Sequence, residues 1–195
     1  MAGLAALGLA VAAQAEPLPT EQALKDRVLG DPGAPLTIIE YASLTCPSCA
    51  KFHNEVLPQV KKDWIDTGRA KLIYRDYPTN PVALALYAAM VARCAPEDRY
   101  FSYLEVFYKQ QRSWGTSADP LKALAQLARL GGMSQADFDA CTGNEELFTG
   151  IRERALDGRM EYGVESTPSF VIDGQVIRGV LEYADFNKVL EDAAK

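Results

Sequence analysis

Basic residues are in short supply: 20 lysines and arginines stand against 26 aspartates and glutamates, giving a net charge of -6 and an isoelectric point near 4.9. That balance argues against nucleic acid as a partner, because a phosphate-binding face needs cationic side chains in excess. No apolar run reaches the length of a membrane-spanning helix. Histidine occurs once, as His53, and cysteine four times. A structural zinc site wants four Cys or His ligands, usually as two close pairs, and Cys46 and Cys49 have no second such pair. Repeats are missing, and so are low-complexity stretches beyond the N-terminus. What is left, 195 residues at 48% hydrophobic and 24% charged, is an ordinary globular composition. It is enough for one compact domain with a sub-domain set into it.

Met1 to Ala13 carries no charge and is almost all Ala, Leu, Gly and Val, ending in the small-x-small pattern Ala13-Gln14-Ala15. The pattern predicts an export signal over 1–15, cleaved after Ala15, and hence an oxidising compartment where cysteines can live as disulfides. No Lys or Arg precedes the apolar stretch, so a buried or amphipathic N-terminal helix is the alternative.

Thr20 to Leu29 is polar and mildly helical, and Gly30-Asp31-Pro32-Gly33 breaks the chain. Leu36 to Tyr41 is a β-branched run interrupted by Glu40, which predicts a buried strand. From Cys46 to about Asp66 the pattern turns helical, with Phe52, Val56, Leu57 and Val60 on one face and Pro58 expected to kink it. Ala70 to Tyr77 predicts a second strand, completing strand–helix–strand. Helices are then expected at Pro81–Cys94, Glu97–Gln111, Pro120–Leu130, Ser134–Cys141 and Glu145–Tyr162. Ser169–Ile172 and Gln175–Arg178 flank Asp173-Gly174, a strong hairpin signal, and a helix over Tyr183–Ala194 closes the chain. The expected fold is α/β: a four-stranded mixed sheet, βαβ then ββα, with an inserted helical domain. The boundaries are an N-terminal arm at 16–35, the sheet body at 36–78 and 145–195, and the insertion at 79–144.

The chemistry concentrates in Cys46-Pro47-Ser48-Cys49, where a strand ends and a helix begins. Cys46 at the cap faces orphan N–H groups and the positive end of the helix dipole. Pro47 suits the first helical position because its missing N–H costs nothing there. Both effects favour a thiolate, the nucleophile of disulfide exchange, and Cys49 one turn deeper can close on it. The competing readings are two buried structural thiols or half a zinc site. Placement within a strand–helix–strand unit favours redox use. The other two cysteines, Cys94 and Cys141, fall in the helical block; two disulfides in an exported protein would pair them, and two free buried thiols are the alternative.

The segment Glu40-Tyr41-Ala42-Ser43-Leu44-Thr45-Cys46-Pro47-Ser48-Cys49-Ala50-Lys51-Phe52-His53 resembles the active-site segment of DsbA-like periplasmic thiol–disulfide oxidoreductases of the thioredoxin superfamily. The helical insertion and Thr167-Pro168 resemble that family too, closest to its α-proteobacterial branch, and the likeness runs from about Asp26 to the end. It implies a thioredoxin fold with Thr167-Pro168 as a cis-proline opposite the redox pair, where the Thr167 backbone pairs with an extended peptide. Read without the resemblance, a trans proline opening an edge strand is the expectation, because few X–Pro bonds are cis. A half-buried Glu40, six residues before Cys46, would have a raised pKa and could exchange a proton with Cys49; the resemblance points to the same role, and an edge-strand Glu40 facing water is the alternative. His53, a helical turn past Cys49, has two readings: one brings it up to the site, and the favoured one leaves it a partly exposed helix residue. Ser48 departs from the family pattern, since strongly oxidising members carry His there. A Cys94–Cys141 disulfide has counterparts in some α-proteobacterial members.

The resemblance implies a periplasmic enzyme, with no cofactor, that inserts disulfides into folding exported proteins carrying cysteine pairs. A quinone-linked membrane partner would reoxidise it. A disulfide reductase or isomerase of the same fold is the alternative that Ser48 and Thr167 leave room for. The arm at 16–35 is small for an isomerase's dimerising segment, which favours a monomer. A reading of another class is a copper- or zinc-handling module on the same cysteines.

Overall fold

The structure, a computed structural model, describes residues 18–195, so the export signal read at 1–15 lies outside the described residues. From Thr20 come a short helix α1 (Thr20–Leu24), a three-residue strand β1 (Arg27–Leu29) and the strand β2 (Leu36–Ala42). A helical rod follows: α2 (Pro47–Lys51), a π-helical turn at Phe52–Val56, α3 (Leu57–Val60) and a second π-helical turn at Lys61–Ile65. After β3 (Ala70–Asp76) the chain builds helices α4 (Val82–Cys94), α5 (Tyr100–Lys109), α6 (Gln111–Gly115), α7 (Pro120–Leu130), α8 (Gln135–Thr142) and the long α9 (Glu145–Tyr162). It ends with β4 (Ser169–Ile172), β5 (Gln175–Arg178) and α10 (Tyr183–Ala193).

The sheet has five strands in the order β1-β3-β2-β4-β5, not four. β2 and β3 are parallel and the remaining pairs antiparallel. The extra strand, β1, sits inside the stretch whose local pattern reads as helical. Its pairing with β3, Val28 opposite Ile73, is a tertiary contact that overrides local propensity. The hairpin between β4 and β5 turns on Asp173 and Gly174, both at positive φ (47° and 73°), the backbone that an Asp-Gly pair adopts readily.

Pro58 gives no simple kink. The N–H of Leu57 donates five residues back, to the Phe52 carbonyl, so the hydrogen-bond ladder is already offset when the proline's missing donor arrives. The expected helix over Glu97–Gln111 is also divided, into a 3-10 turn at Glu97–Arg99, then α5, then a fresh start at Gln111.

Apolar layers cover both faces of the sheet, and a third, with a smaller cluster between α1, α4, α8 and α9 beside it, lies among the helices. On one face of the sheet Ile38, Leu72, Phe170 and Ile172 pack on Phe52, Val56, Val60 and Trp64 of the rod and on Phe186 and Leu190 of α10. On the other face α9 lies so close that a side chain at Gly158 would come 2.2 Å from the ring of Tyr41. The third layer is internal to α4–α8 and built on Tyr100, Tyr103, Phe107, Tyr108, Trp114 and Leu124. It takes in Leu44 and Cys49, so the helical block packs directly on the segment where β2 meets α2.

Candidate active site

After Ala42 the chain turns through Ser43-Leu44-Thr45 into α2, with Cys46 as its N-cap (φ -83°, ψ 119°) and Pro47 as its first residue. Extended backbone at the cap and a proline with no donor to lose are what such a junction accepts. The turn is pinned by side chains. Ser43 Oγ lies 3.0 Å from Thr45 Oγ1 and accepts from the Thr79 N–H at 3.2 Å. Gln111, the first residue of α6, donates through Nε2 to the carbonyls of Leu44 (2.8 Å) and Cys46 (2.9 Å). Nothing in the sequence singled out Gln111, whose two acceptors are 65 and 67 residues away along the chain.

The two sulfurs have unlike surroundings. Cys46 is partly exposed and Cys49 wholly buried. The Cys46 thiol is pulled down to about 5, chiefly by the hydrogen bond from the Cys49 thiol. Partial burial opposes that effect, while the Thr167 side chain and the N–H groups of Cys49 and Ser48 reinforce it. Cys49 moves the other way: burial pushes its thiol far above the usual range, and the Cys46 sulfur and the Glu40 charge add to the push. The Thr167-Pro168 peptide is cis, and the Thr167 carbonyl oxygen lies 3.4 Å from Cys46 Sγ. That carbonyl accepts only from the protonated thiol, yet it is one acceptor against several donors, and the thiolate prevails. Ser48 is exposed on the first turn.

Glu40 is neither half-buried nor on an edge. It sits in the middle of the sheet, between Tyr74 of β3 and Phe170 of β4, with no exposed surface. Its two carboxylate oxygens lie 3.1 and 3.0 Å from Nε2 of His53. The expectation of a partly exposed His53 is therefore wrong: the ring is buried, at 8% exposure. The reason is the helical block, whose Tyr108 stacks on the imidazole at 4.1 Å while Tyr74 approaches edge-on at 5.8 Å. The hydroxyls of Tyr74 and Tyr108 are themselves bonded at 2.7 Å.

Cys94 and Cys141 are bonded to each other, S–S 2.05 Å, joining α4 to α8. A second cis peptide, Asn80-Pro81, carried no sequence signal. It borders a cleft of about 270 Å³ beside the redox segment, lined by Thr45, Pro47, Leu84, Arg112 and Trp114. Among the described residues no three His, Cys, Asp or Glu side chains are grouped to hold a metal ion, and no helix is long and apolar enough to cross a membrane.

A Cys-x-x-Cys segment capping a helix, facing a cis-proline across the centre of a mixed sheet, defines a protein of the thioredoxin fold. The family described as Thioredoxin matches residues 22–192, and the chain belongs to it, among its DsbA-like members. The structure is similar to that of α-DsbA1 from Wolbachia pipientis, with a TM-score of 0.80 and 30% identity, covering 87% of this chain and 90% of that one. Disulfide bond formation protein D of Bacillus subtilis is 24% identical over 174 residues, 86% of this chain and 77% of that protein. A Rickettsia conorii relative, a protein-disulfide oxidoreductase by name, is 29% identical over 150 residues, 76% of this chain. The chain spans only about half the length, 53%, of that relative.

Proposed function

We propose that the protein is a thiol–disulfide oxidoreductase that inserts disulfides into exported proteins bearing cysteine pairs, working through Cys46 and Cys49. The observation that carries this reading is the asymmetry of the two thiols, one ionising near pH 5 in reach of solvent and one buried and held protonated. A partner sulfur can reach only Cys46. When an incoming thiolate attacks Cys46 of the oxidised pair, Cys49 departs and a mixed disulfide forms on Cys46. The substrate's second thiolate then displaces Cys46, whose low pKa makes it a good leaving group. The energetic bias towards oxidising others follows, because a stabilised Cys46 thiolate stabilises the reduced protein.

Thr167, held against Cys46 by the cis peptide, is the backbone on which an extended substrate would add a strand. Pro47 and Ser48 present the sulfur, and Pro168 sets the edge. We place the redox body on 36–78 and 145–195 with 79–144 inserted, the setting in the periplasm, and reoxidation on a quinone-linked membrane partner of a monomer. The name of the B. subtilis relative supports the direction of the chemistry, and that of the Rickettsia relative its class.

The deciding experiment mixes catalytic amounts of oxidised protein with a reduced, unfolded substrate holding two cysteines and follows native disulfide formation. Wild type should accelerate it and Cys46→Ser should not. A Cys46→Ser protein as active as wild type would sink the assignment.

A further inference from the structure

We propose that His53 and Glu40 together hold one proton for Cys49, giving it up when the Cys46–Cys49 bond opens and regaining it when that bond closes. This rests on the redox reading above and adds His53 to it.

Three observations converge. His53 lies four residues beyond Cys49 on the same helical rod, a spacing that turns side chains to one side with about 5–6 Å between β-carbons. Both oxygens of the buried Glu40 share one nitrogen of His53, at 3.0 and 3.1 Å. The charge of Glu40 acts on Cys49 and on Tyr108, which places all four groups in one buried neighbourhood.

The groups around the pair do not compete for its role. Tyr108 from α5 and Tyr74 from β3 are buried phenols whose protons are held tightly by desolvation. Phe52 on the rod and Phe170 on β4 are apolar. Beyond Tyr74, Asp76 is already engaged with Arg93 of α4. An isolated carboxylate buried here would be a costly charge. With histidine beside it, the pair is neutral when it carries one proton more than a carboxylate and a neutral imidazole. It bears a single negative charge when that proton is gone.

The accounting of the step is simple. A substrate thiolate attacks Cys46 Sγ, a new S–S bond forms there, the old one breaks, and its electron pair leaves on Cys49. A buried thiolate beside a carboxylate is unfavourable, so the proton of the pair moves to Cys49. The products are a Cys49 thiol, the Glu40 carboxylate and a neutral imidazole. On reoxidation by a disulfide partner, which takes the two electrons, Cys49 hands the proton back.

The test uses the oxidised full-length protein and reduced glutathione, with the rate of mixed-disulfide formation trapped by alkylation between pH 5 and 9. Divided by the glutathione thiolate concentration, the wild-type rate should fall along one titration as pH rises. His53→Gln keeps a hydrogen-bond donor but has no proton to yield. It leaves Glu40 to hold any proton alone, so that fall should move by about one pH unit or more. A second measurement needs no variant: the single imidazole gives one NMR signal, and its titration midpoint should differ between oxidised and reduced wild type. A His53→Gln protein that keeps the wild-type pH profile, or one midpoint shared by both redox states, overturns the pair. If wild type fails to react with glutathione at all, the redox reading falls first and this one with it.

Discussion

Three positions separate a sulfur that ionises near pH 5 from one that burial keeps protonated, and the residues between them tune the difference. Pro47 contributes only shape, whereas the N–H of Ser48 already helps to lower Cys46. The Ser48 side chain is exposed on the helix's first turn. A histidine there would add a charged or N–H donor in place of a neutral hydroxyl, and charged donors contribute roughly twice as much, a gain of about 1–2 kcal/mol. At about 30 mV per 1.4 kcal/mol, Ser48→His should raise the reduction potential by roughly 20–40 mV. Equilibration with a glutathione redox buffer measures it. An unchanged or lower potential would move the control to Thr167 and Glu40.

At the scale of elements, what the sequence made legible was whatever forms locally. The Cys-x-x-Cys junction lies within a few residues of its own strand end and helix start. The Asp-Gly hairpin turns on its own two residues, and α7, α9, β4 and β5 begin and end where their residue patterns change. Elements decided by distant partners were not legible. β1 exists because β3 offers an edge, Gln111 of α6 is tied to carbonyls of the distant redox loop, and His53 is buried because α5 closes over it. The Cys94–Cys141 link between α4 and α8 belongs to this scale. It closes a loop of 47 residues, and on the loop-entropy account it contributes about 4 kcal/mol. The double variant Cys94→Ala/Cys141→Ala should therefore lower the unfolding free energy by about that amount in denaturant titrations. A loss below about 1 kcal/mol would mean that the helical block is held by its aromatic core alone.

For the whole molecule, the low pKa of Cys46 becomes a dependence of stability on pH and redox state. The folded value is about 5, against about 8.5 for a thiol in the unfolded chain. A depressed folded pKa stabilises the protein above the unfolded value, and that stabilisation is lost as pH falls through the folded one. Only the reduced protein has this thiol. The melting temperature of the reduced form relative to the oxidised form should thus climb from pH 5 towards pH 8 and turn down above about 9, where the unfolded chain ionises Cys49 and the folded protein holds it protonated. Calorimetry of the two forms across that range checks it, and a difference independent of pH would contradict the thiolate assignment. The insertion has its own bearing on the sulfur. Gln111 spends both amide hydrogens on the loop that carries Cys46. A partner that tilts α6 therefore tugs on the backbone of the residue that reacts, and the helical block becomes the handle by which the blade is turned.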